Sequence, residues 1–169
     1  MISAIVAVDE NWGIGFNGEL LEKIPEDLKR FKKLTKGNVV VMGRKTWDSL
    51  PTKPLPDRLN IIISRQPQFV DFLTVSIGME EAKVRAKAAS KDLEDEWFVI
   101  GGGQIYKELL PLCDRVYVTK IFKSHENVDT YFPDLDEPEM WDTWKVTEQS
   151  EVKIYDDIMY QFWTYDRIN

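Results

Sequence analysis

Four short apolar runs set the terms for how this chain can fold. They occupy residues 2–8, 39–42, 60–64 and 97–100. Each is nearly unbroken and rich in β-branched or aromatic side chains, and each is too short for an ordinary helix. Such a run reads as a strand buried on both faces rather than as one side of an amphipathic element. Each is followed by polar or glycine punctuation: Asp9-Glu10-Asn11, Gly43-Arg44-Lys45, Arg65 and Gly101-Gly102-Gly103. Helical patterns lie between them, from Pro25, over residues 44–50, over 79–91 and over 104–110. Strand and helix therefore alternate, which predicts an α/β fold with helices on both faces of a mostly parallel central sheet of about eight strands.

The rest of the chain completes that sheet. Residues 74–77 predict a short strand and residues 115–122 a long one, while 65–68 read as a polar turn. Two aromatic-rich stretches, 143–152 and 158–165, predict antiparallel pairing at a C-terminal edge. Residues 12–19 hold Gly13, Gly15, Asn17 and Gly18 and predict a mobile loop.

The 169 residues suit one domain with a sizeable core. A formal charge of -7 argues against a broad nucleic-acid surface. The lone cysteine, Cys113, allows no disulfide within the chain and suggests a reducing compartment. The opening apolar run is too short to serve as a signal or to span a membrane. The lone histidine, His125, lies in a polar loop and is read as solvated. One cysteine and one histidine make no metal constellation, so no metal is expected.

Pro25 suits the first turn of a helix, and Glu26 and Asp27 suit its positive end. Leu28, Phe31 and Leu34 form one apolar stripe, with Lys29, Arg30, Lys32 and Lys33 on the wet side. Asp27 sits on the edge of that stripe, where a carboxylate either caps in water or looks into a pocket.

In open α/β sheets, ligands bind at the carboxyl ends of the strands. The triple glycine opens a helix and lets backbone amides approach a phosphate. Arg44, Lys45 and Thr46 form a second anion-ready group, and Ser64 with Arg65 a third. Three such groups at neighbouring strand ends suit a ligand with several phosphates, such as NADPH. The spacing is not GxGxxG, so a standard Rossmann site is not indicated.

In order and spacing these residues resemble the dihydrofolate reductase family, nearly end to end. The likeness is carried by residues 2–8 with Gly13-Ile14-Gly15, by 24–31, by 41–47, by 55–60, by 63–65, by 100–106, by 117–119 and by 129–133. The resemblance implies one domain over residues 1–169, with an adenosine-binding subdomain at roughly 38–90. It implies hydride transfer from NADPH to C6 of 7,8-dihydrofolate with protonation at N5, giving tetrahydrofolate for one-carbon metabolism and thymidylate synthesis. Such an enzyme is an antifolate target. A cytoplasmic monomer is implied, with no nucleic-acid or membrane partner.

The resemblance also distributes roles. Asp27 would hold the pterin and support protonation, with Thr119 tying the two together through water. Ile5, Ala7, Leu28, Phe31, Leu50, Leu55, Ile100 and Tyr106 would wall the substrate. Arg58, helped by Lys53, would meet the carboxylate of its glutamate tail. Gly43, Arg44, Lys45, Thr46, Ser64, Arg65 and Ser76 would hold the phosphates and ribose of the cofactor. Gly101, Gly102, Gly103, Gln104, Ile105 and Tyr106 would hold its pyrophosphate and nicotinamide side, and the peptide between Gly101 and Gly102 is expected to be cis. Ala7, Gly13, Ile14, Gly15, Asn17, Gly18 and Glu19 would close over the nicotinamide.

One departure stands out. The family usually reads Leu-Pro-Trp ahead of the helix, and this chain reads Leu20-Leu21-Glu22. Glu22 is expected either to swing into solvent or, if it stays inside, to raise the pKa of Asp27 by repulsion. Two rival readings stay open: a same-fold reductase acting on another pterin or a riboflavin-pathway pyrimidine, and a catalytically silent nucleotide-binding module.

Overall fold

The computed structural model describes residues 1–66, 71–91 and 96–168. The chain opens with β1 (Ile2–Val8), passes through β2 (Gly13–Phe16) and β3 (Glu19–Leu20), and enters α1 (Pro25–Thr35). Then come β4 (Val39–Gly43), α2 (Arg44–Ser49), β5 (Leu59–Ile63), β6 (Thr74–Ile77) and α3 (Met79–Ala89). β7 (Trp97–Gly101), α4 (Gly103–Leu109), β8 (Arg115–Ile121) and β9 (Thr130–Tyr131) follow. The chain ends on β10 (Trp144–Gln149), β11 (Lys153–Tyr155) and β12 (Ile158–Arg167).

Nine of these strands form the central sheet, in the order β10-β12-β8-β1-β7-β4-β5-β6, with β11 also paired to β12. From β6 to β8 every pairing is parallel. β12 runs antiparallel to β8, and β10 antiparallel to β12. The expected mostly parallel sheet with an antiparallel C-terminal edge is therefore present. β7 lies between β1 and β4, so the glycine turn after it falls between the ends of those two strands.

Alternation along the strands builds a core on each face. Val39, Val41, Ile61, Ile63 and Val99 enter the larger one, which α3 and α4 cover through Ala82, Ala86, Ile105 and Leu109. Val40, Met42, Ile62 and Phe98 enter the other, covered by Trp47 of α2 and Leu34 of α1. A fully buried side chain of this size contributes about 1.5–3 kcal/mol, so both faces must be roofed for the strands to persist.

α1 starts at Pro25 without a side-chain cap, and the Leu28 amide donates to the Ile24 carbonyl at 3.1 Å. Its stripe is seated only at the far end. Leu34 packs into the second core, Phe31 is half-buried, and Leu28 remains 47% exposed. α4 ends at Leu109, one residue earlier than expected, and Pro111 sits in a 3-10 turn over Leu110–Leu112.

Two expectations need correction. The predicted mobile loop at 12–19 is a β-hairpin: β2 pairs with β3, and β9 pairs with the other side of β2. The missed signal is Asn17-Gly18, whose φ values of 51° and 77° are those of a tight hairpin turn. The predicted C-terminal hairpin is three-stranded, because Asp156 and Asp157, with φ of 47° and 62°, turn β11 back onto β12. β10 is an exposed edge strand with a register shift between Val146 and Glu148. The predicted turn at 65–68 runs beyond position 66, and its residues 67 and 68 lie outside the described residues.

Ile61 is 1% exposed in the middle of β5. Ile61→Ala should lower stability by about 2–5 kcal/mol, the usual cost of a large-to-small change in a packed core. The urea midpoint should fall with an unchanged denaturant slope.

Candidate active site

The carboxyl ends of the parallel strands open into a cleft of ≈ 1740 Å³. Ala7 at the end of β1 and Ile100 in β7 line its middle. Ile100 also packs in the second core with Ile5, Leu50 and Leu55, so the cleft and that apolar group meet at β1 and β7.

Glycines bring the backbone to the surface of the cleft. Gly43, Gly102 and Gly103 all line it, as do Gln104, Ile105 and Tyr106. A Cβ on Gly43 would meet Ile105 Cγ1 at 2.9 Å, and one on Gly103 would meet Thr130 Cγ2 at 2.7 Å. Gly101 is buried against the Tyr106 ring, and the Gly101–Gly102 peptide is cis, as expected. The Tyr106 hydroxyl donates to the Ile5 carbonyl at 2.7 Å, which fixes the turn against β1.

At one end of the cleft stand Arg44, Lys45, Thr46, Ser64 and Arg65. Arg44 and Lys45 are exposed, and the ion pair of Arg44 with Asp48 at 3.2 Å is exposed on both sides. Such a pair contributes little, so the guanidinium is available to an anion. Ser76 is half-buried in β6 and does not line the cleft. Met79, Glu80, Lys83 and Glu108, which carry no sequence motif, do line it. Lys83 Nζ reaches Glu108 Oε2 at 2.8 Å.

At the other end the hairpin supplies Ile14, Gly15, Gly18 and Glu19. Gly13 lies behind them, where a Cβ would meet Val128 Cγ1 at 2.8 Å, and Asn17 forms the turn. The Asn17 amide donates to Asp129 Oδ2 at 2.9 Å, and the Asp129 amide donates to the Gly15 carbonyl at 3.0 Å. The loop before β9 thus holds the hairpin tip.

Asp27 sits in the first turn of α1, over the end of β8. Thr119 is buried and pairs with Ala7 across β8 and β1. Its hydroxyl donates directly to Asp27 Oδ1 at 2.5 Å. Burial pushes the Asp27 carboxyl above the usual range, opposed by the Thr119 bond and the charge of Arg30. Arg30 was expected on the wet side. Its guanidinium instead lies over Phe162 at 4.4 Å and Tyr117 at 5.4 Å, because a long cationic side chain can stack on aromatic faces and stay near a carboxylate.

Arg58 is only 5% exposed. Its Nε donates to the Pro56 carbonyl at 2.8 Å and its Nη1 to Thr35 Oγ1 at 3.0 Å, and its guanidinium faces the Phe31 ring at 6.0 Å. Lys53 is exposed beside Trp47 and donates to the Asp48 carbonyl at 3.3 Å.

His125 and Glu22 correct the sequence reading together. His125 is not solvated: its Nδ1 lies 3.1 Å from Asp9 Oδ2 and its Nε2 2.9 Å from Glu22 Oε1. Glu22 neither swings out nor repels Asp27. Its side chain is 19% exposed and also takes Lys123 Nζ at 2.9 Å. Burial would raise its pKa, but the hydrogen bonds and charges of Lys123 and His125 outweigh that and hold it low. These partners lie more than a hundred positions along the chain, out of reach of any local pattern.

Comparison with known proteins gives one consistent result. The family model described as Dihydrofolate reductase matches residues 1–167. The dihydrofolate reductase of Bacillus subtilis (strain 168) is 37% identical over 173 residues, covering 100% of this chain and 96% of that protein. The bifunctional dihydrofolate reductase-thymidylate synthase of Glycine max is 36% identical over 180 residues, covering 97% of this chain. The chain spans about a third of the length of that relative, 33%. A solved dihydrofolate reductase from Enterococcus faecalis, complexed with NADP(H) and RAB-propyl, matches with a TM-score of 0.83 at 31% identity, covering 100% of this chain and 97% of that one.

The raised pKa of Asp27 has a consequence for stability. An unfolded aspartate releases its proton near pH 3.9, whereas the folded protein keeps this one to higher pH. The folded state then binds more protons, so stability falls as pH rises through that window and stays lower above it. Asp27→Asn removes the cost. The variant should show a higher urea midpoint than the parent at neutral pH, and the gap should close on acidification to about pH 3.9.

Proposed function

Because the chain belongs to the dihydrofolate reductase family, we propose that it reduces 7,8-dihydrofolate to 5,6,7,8-tetrahydrofolate with NADPH, in the cleft at the ends of β1, β4 and β7. The observation that carries this reading is Asp27, a carboxyl kept largely out of water, with a raised pKa and one oxygen engaged by Thr119.

The residues present fit the cofactor. Gly43, Gly102 and Gly103 leave backbone bare along the cleft where a pyrophosphate needs close approach. Arg44, Lys45, Thr46, Ser64 and Arg65 gather cationic and hydroxyl groups at one end, against an overall charge of -7. That local concentration suits the phosphates and ribose of a phosphorylated dinucleotide. Residues 38–90 are the natural adenosine-side unit on this reading. Ile14, Gly15 and Glu19 of the hairpin line the opposite end, next to Ala7, where they would exclude water from the nicotinamide. When bound, NADPH supplies the hydride.

The chain's own groups do the rest. Thr119 uses one lone pair of Asp27 Oδ1, and the carboxylate keeps lone pairs on both oxygens to accept from the 2-amino group and N3 of the pterin. A raised pKa lets this acid support protonation at N5 closer to neutrality than an ordinary aspartate. Ile5, Leu28, Phe31, Leu50, Leu55 and Ile100 supply the apolar wall for the pterin and the aminobenzoyl ring. Arg58 spends Nε and one N–H of Nη1 internally, and its remaining donors form a fork for the glutamate carboxylate. Lys53 adds charge at the rim.

A same-fold reductase acting on another pterin or pyrimidine is not favoured, since the matched family model and relatives are dihydrofolate reductases. Among the described residues no helix is long and apolar enough to cross a membrane. A cytoplasmic monomer is part of the same proposal.

Mixing the protein with NADPH and dihydrofolate should consume NADPH, seen as a loss of absorbance. No consumption at enzyme concentrations near that of substrate would end this reading. Asp27→Asn should slow the hydride step by about 10²–10⁴-fold. Arg58→Lys should raise KM for dihydrofolate by about tenfold or more, the value of a charge-assisted hydrogen bond. A pterin lacking the glutamate tail should be turned over unchanged by that variant; equal losses on both substrates would favour the rival.

A further inference from the structure

Asp9, Glu22 and His125 form a polar cluster that the reaction as described does not use. Asp9, just after β1, has 0% side-chain exposure. Its Oδ1 accepts the backbone amides of Asn11 at 2.9 Å and Gly13 at 2.8 Å. Its Oδ2 accepts the backbone amide of His125 at 3.3 Å and faces the ring Nδ1 at 3.1 Å. The other ring nitrogen faces Glu22 Oε1 at 2.9 Å. Asp9 and Glu22 are the two roots of the segment that carries β2 and β3. A single ring therefore spans both ends of the hairpin that lines the cleft.

We infer that His125 is a positioning residue: as an imidazolium it clamps both roots of the β2–β3 hairpin and so sets how that hairpin lies over the cleft. Ionised carboxylates are acceptors only, and a neutral imidazole carries one N–H. A neutral ring leaves one of its two contacts as lone pair against lone pair, while the doubly protonated ring satisfies both. The same loop reaches the tip of the hairpin through Asp129, so roots and tip are held from one side.

The charged groups around the ring are few. Asp9 faces it from the end of β1 and Glu22 from the segment before α1. Lys123 and Glu126 lie on its own loop, with Lys123 paired to Glu22 at 2.9 Å. Glu10 is tied to that loop by the Ser124 hydroxyl at 3.2 Å. Among the described residues no group of acids, cysteines and histidine is arranged to hold a metal. Lower pH favours the doubly protonated ring that both carboxylates need, so the clamp is tighter on the acidic side.

Hydrogen exchange of the full, ligand-free chain tests this without relying on the proposed activity. Peptides covering residues 10–22 are followed at about pH 5.5 and about pH 8, with the intrinsic pH dependence of exchange removed. The parent should protect the segment about tenfold more at the lower pH, the worth of one hydrogen bond to a charged group. His125→Gln should be less protected and should lose the pH dependence. Glu22→Gln, whose amide can pair with a neutral ring, should flatten it, and carries the test alone if His125→Gln fails to fold. Parent and variants with one common exchange profile would overturn the clamp. The consequence for turnover rests on the reading of the cleft given above. His125→Gln should raise KM for NADPH several-fold at the lower pH with a smaller change in kcat. If exchange responds and KM does not, the clamp stands and the assignment of the nicotinamide end fails.

Discussion

Everything in this molecule follows from a parallel sheet that must be covered on both sides. Strands β6 through β8 run the same way, so each connection has to travel back across a face before the next strand begins. Helices α1, α2, α3 and α4 make returns of this kind, and their apolar sides complete the two cores. Parallel direction also collects the strand ends at one rim. The polar and glycine residues that stop each strand are thereby brought side by side, although they are scattered from position 9 to position 103. The cleft is a by-product of burying valine and isoleucine, and its chemistry depends on what stands at those stops.

Three acids close together in sequence show how the fold then assigns character. Glu22, Glu26 and Asp27 sit within six positions at the head of α1. Burial acts on Glu22, but Lys123 and His125 outweigh it. Glu26 receives the Tyr160 hydroxyl at 2.5 Å and Lys153 at 2.9 Å, and is likewise held low. Asp27 has one neutral donor and a cation that binds aromatic rings rather than the carboxylate itself, so burial prevails and its pKa rises. Divergent environments sort similar groups into different duties.

The strands and helices were legible because their signals are local: continuous apolar runs, a proline at a helix start, glycines after strands. The anion-ready groups were legible for the same reason, each being a short string at a strand end. The β2–β3 hairpin was legible in principle through Asn17-Gly18, but the abundance of glycine around it suggested looseness. Its order comes from β9 and from Asp9 and Asp129, which are not neighbours in sequence. Arg30, Glu22 and His125 were misplaced for a related reason. Their settings are made by rings and charges brought in from the far half of the chain, and no periodicity encodes those meetings.

The irregular strand at the C-terminal margin has a bearing on how copies of this molecule meet. Among the described residues β10 pairs only with β12, so its outer row of amides and carbonyls is the usual template for accretion of a further strand. Lys145, Glu148 and the break in register beside Val146 make that row charged and uneven. An incoming chain would have to desolvate both charges and match a kink it does not share. The ribbon is closed to growth by its own chemistry, and crowding alone is a poor incentive to fibrous assembly from that side.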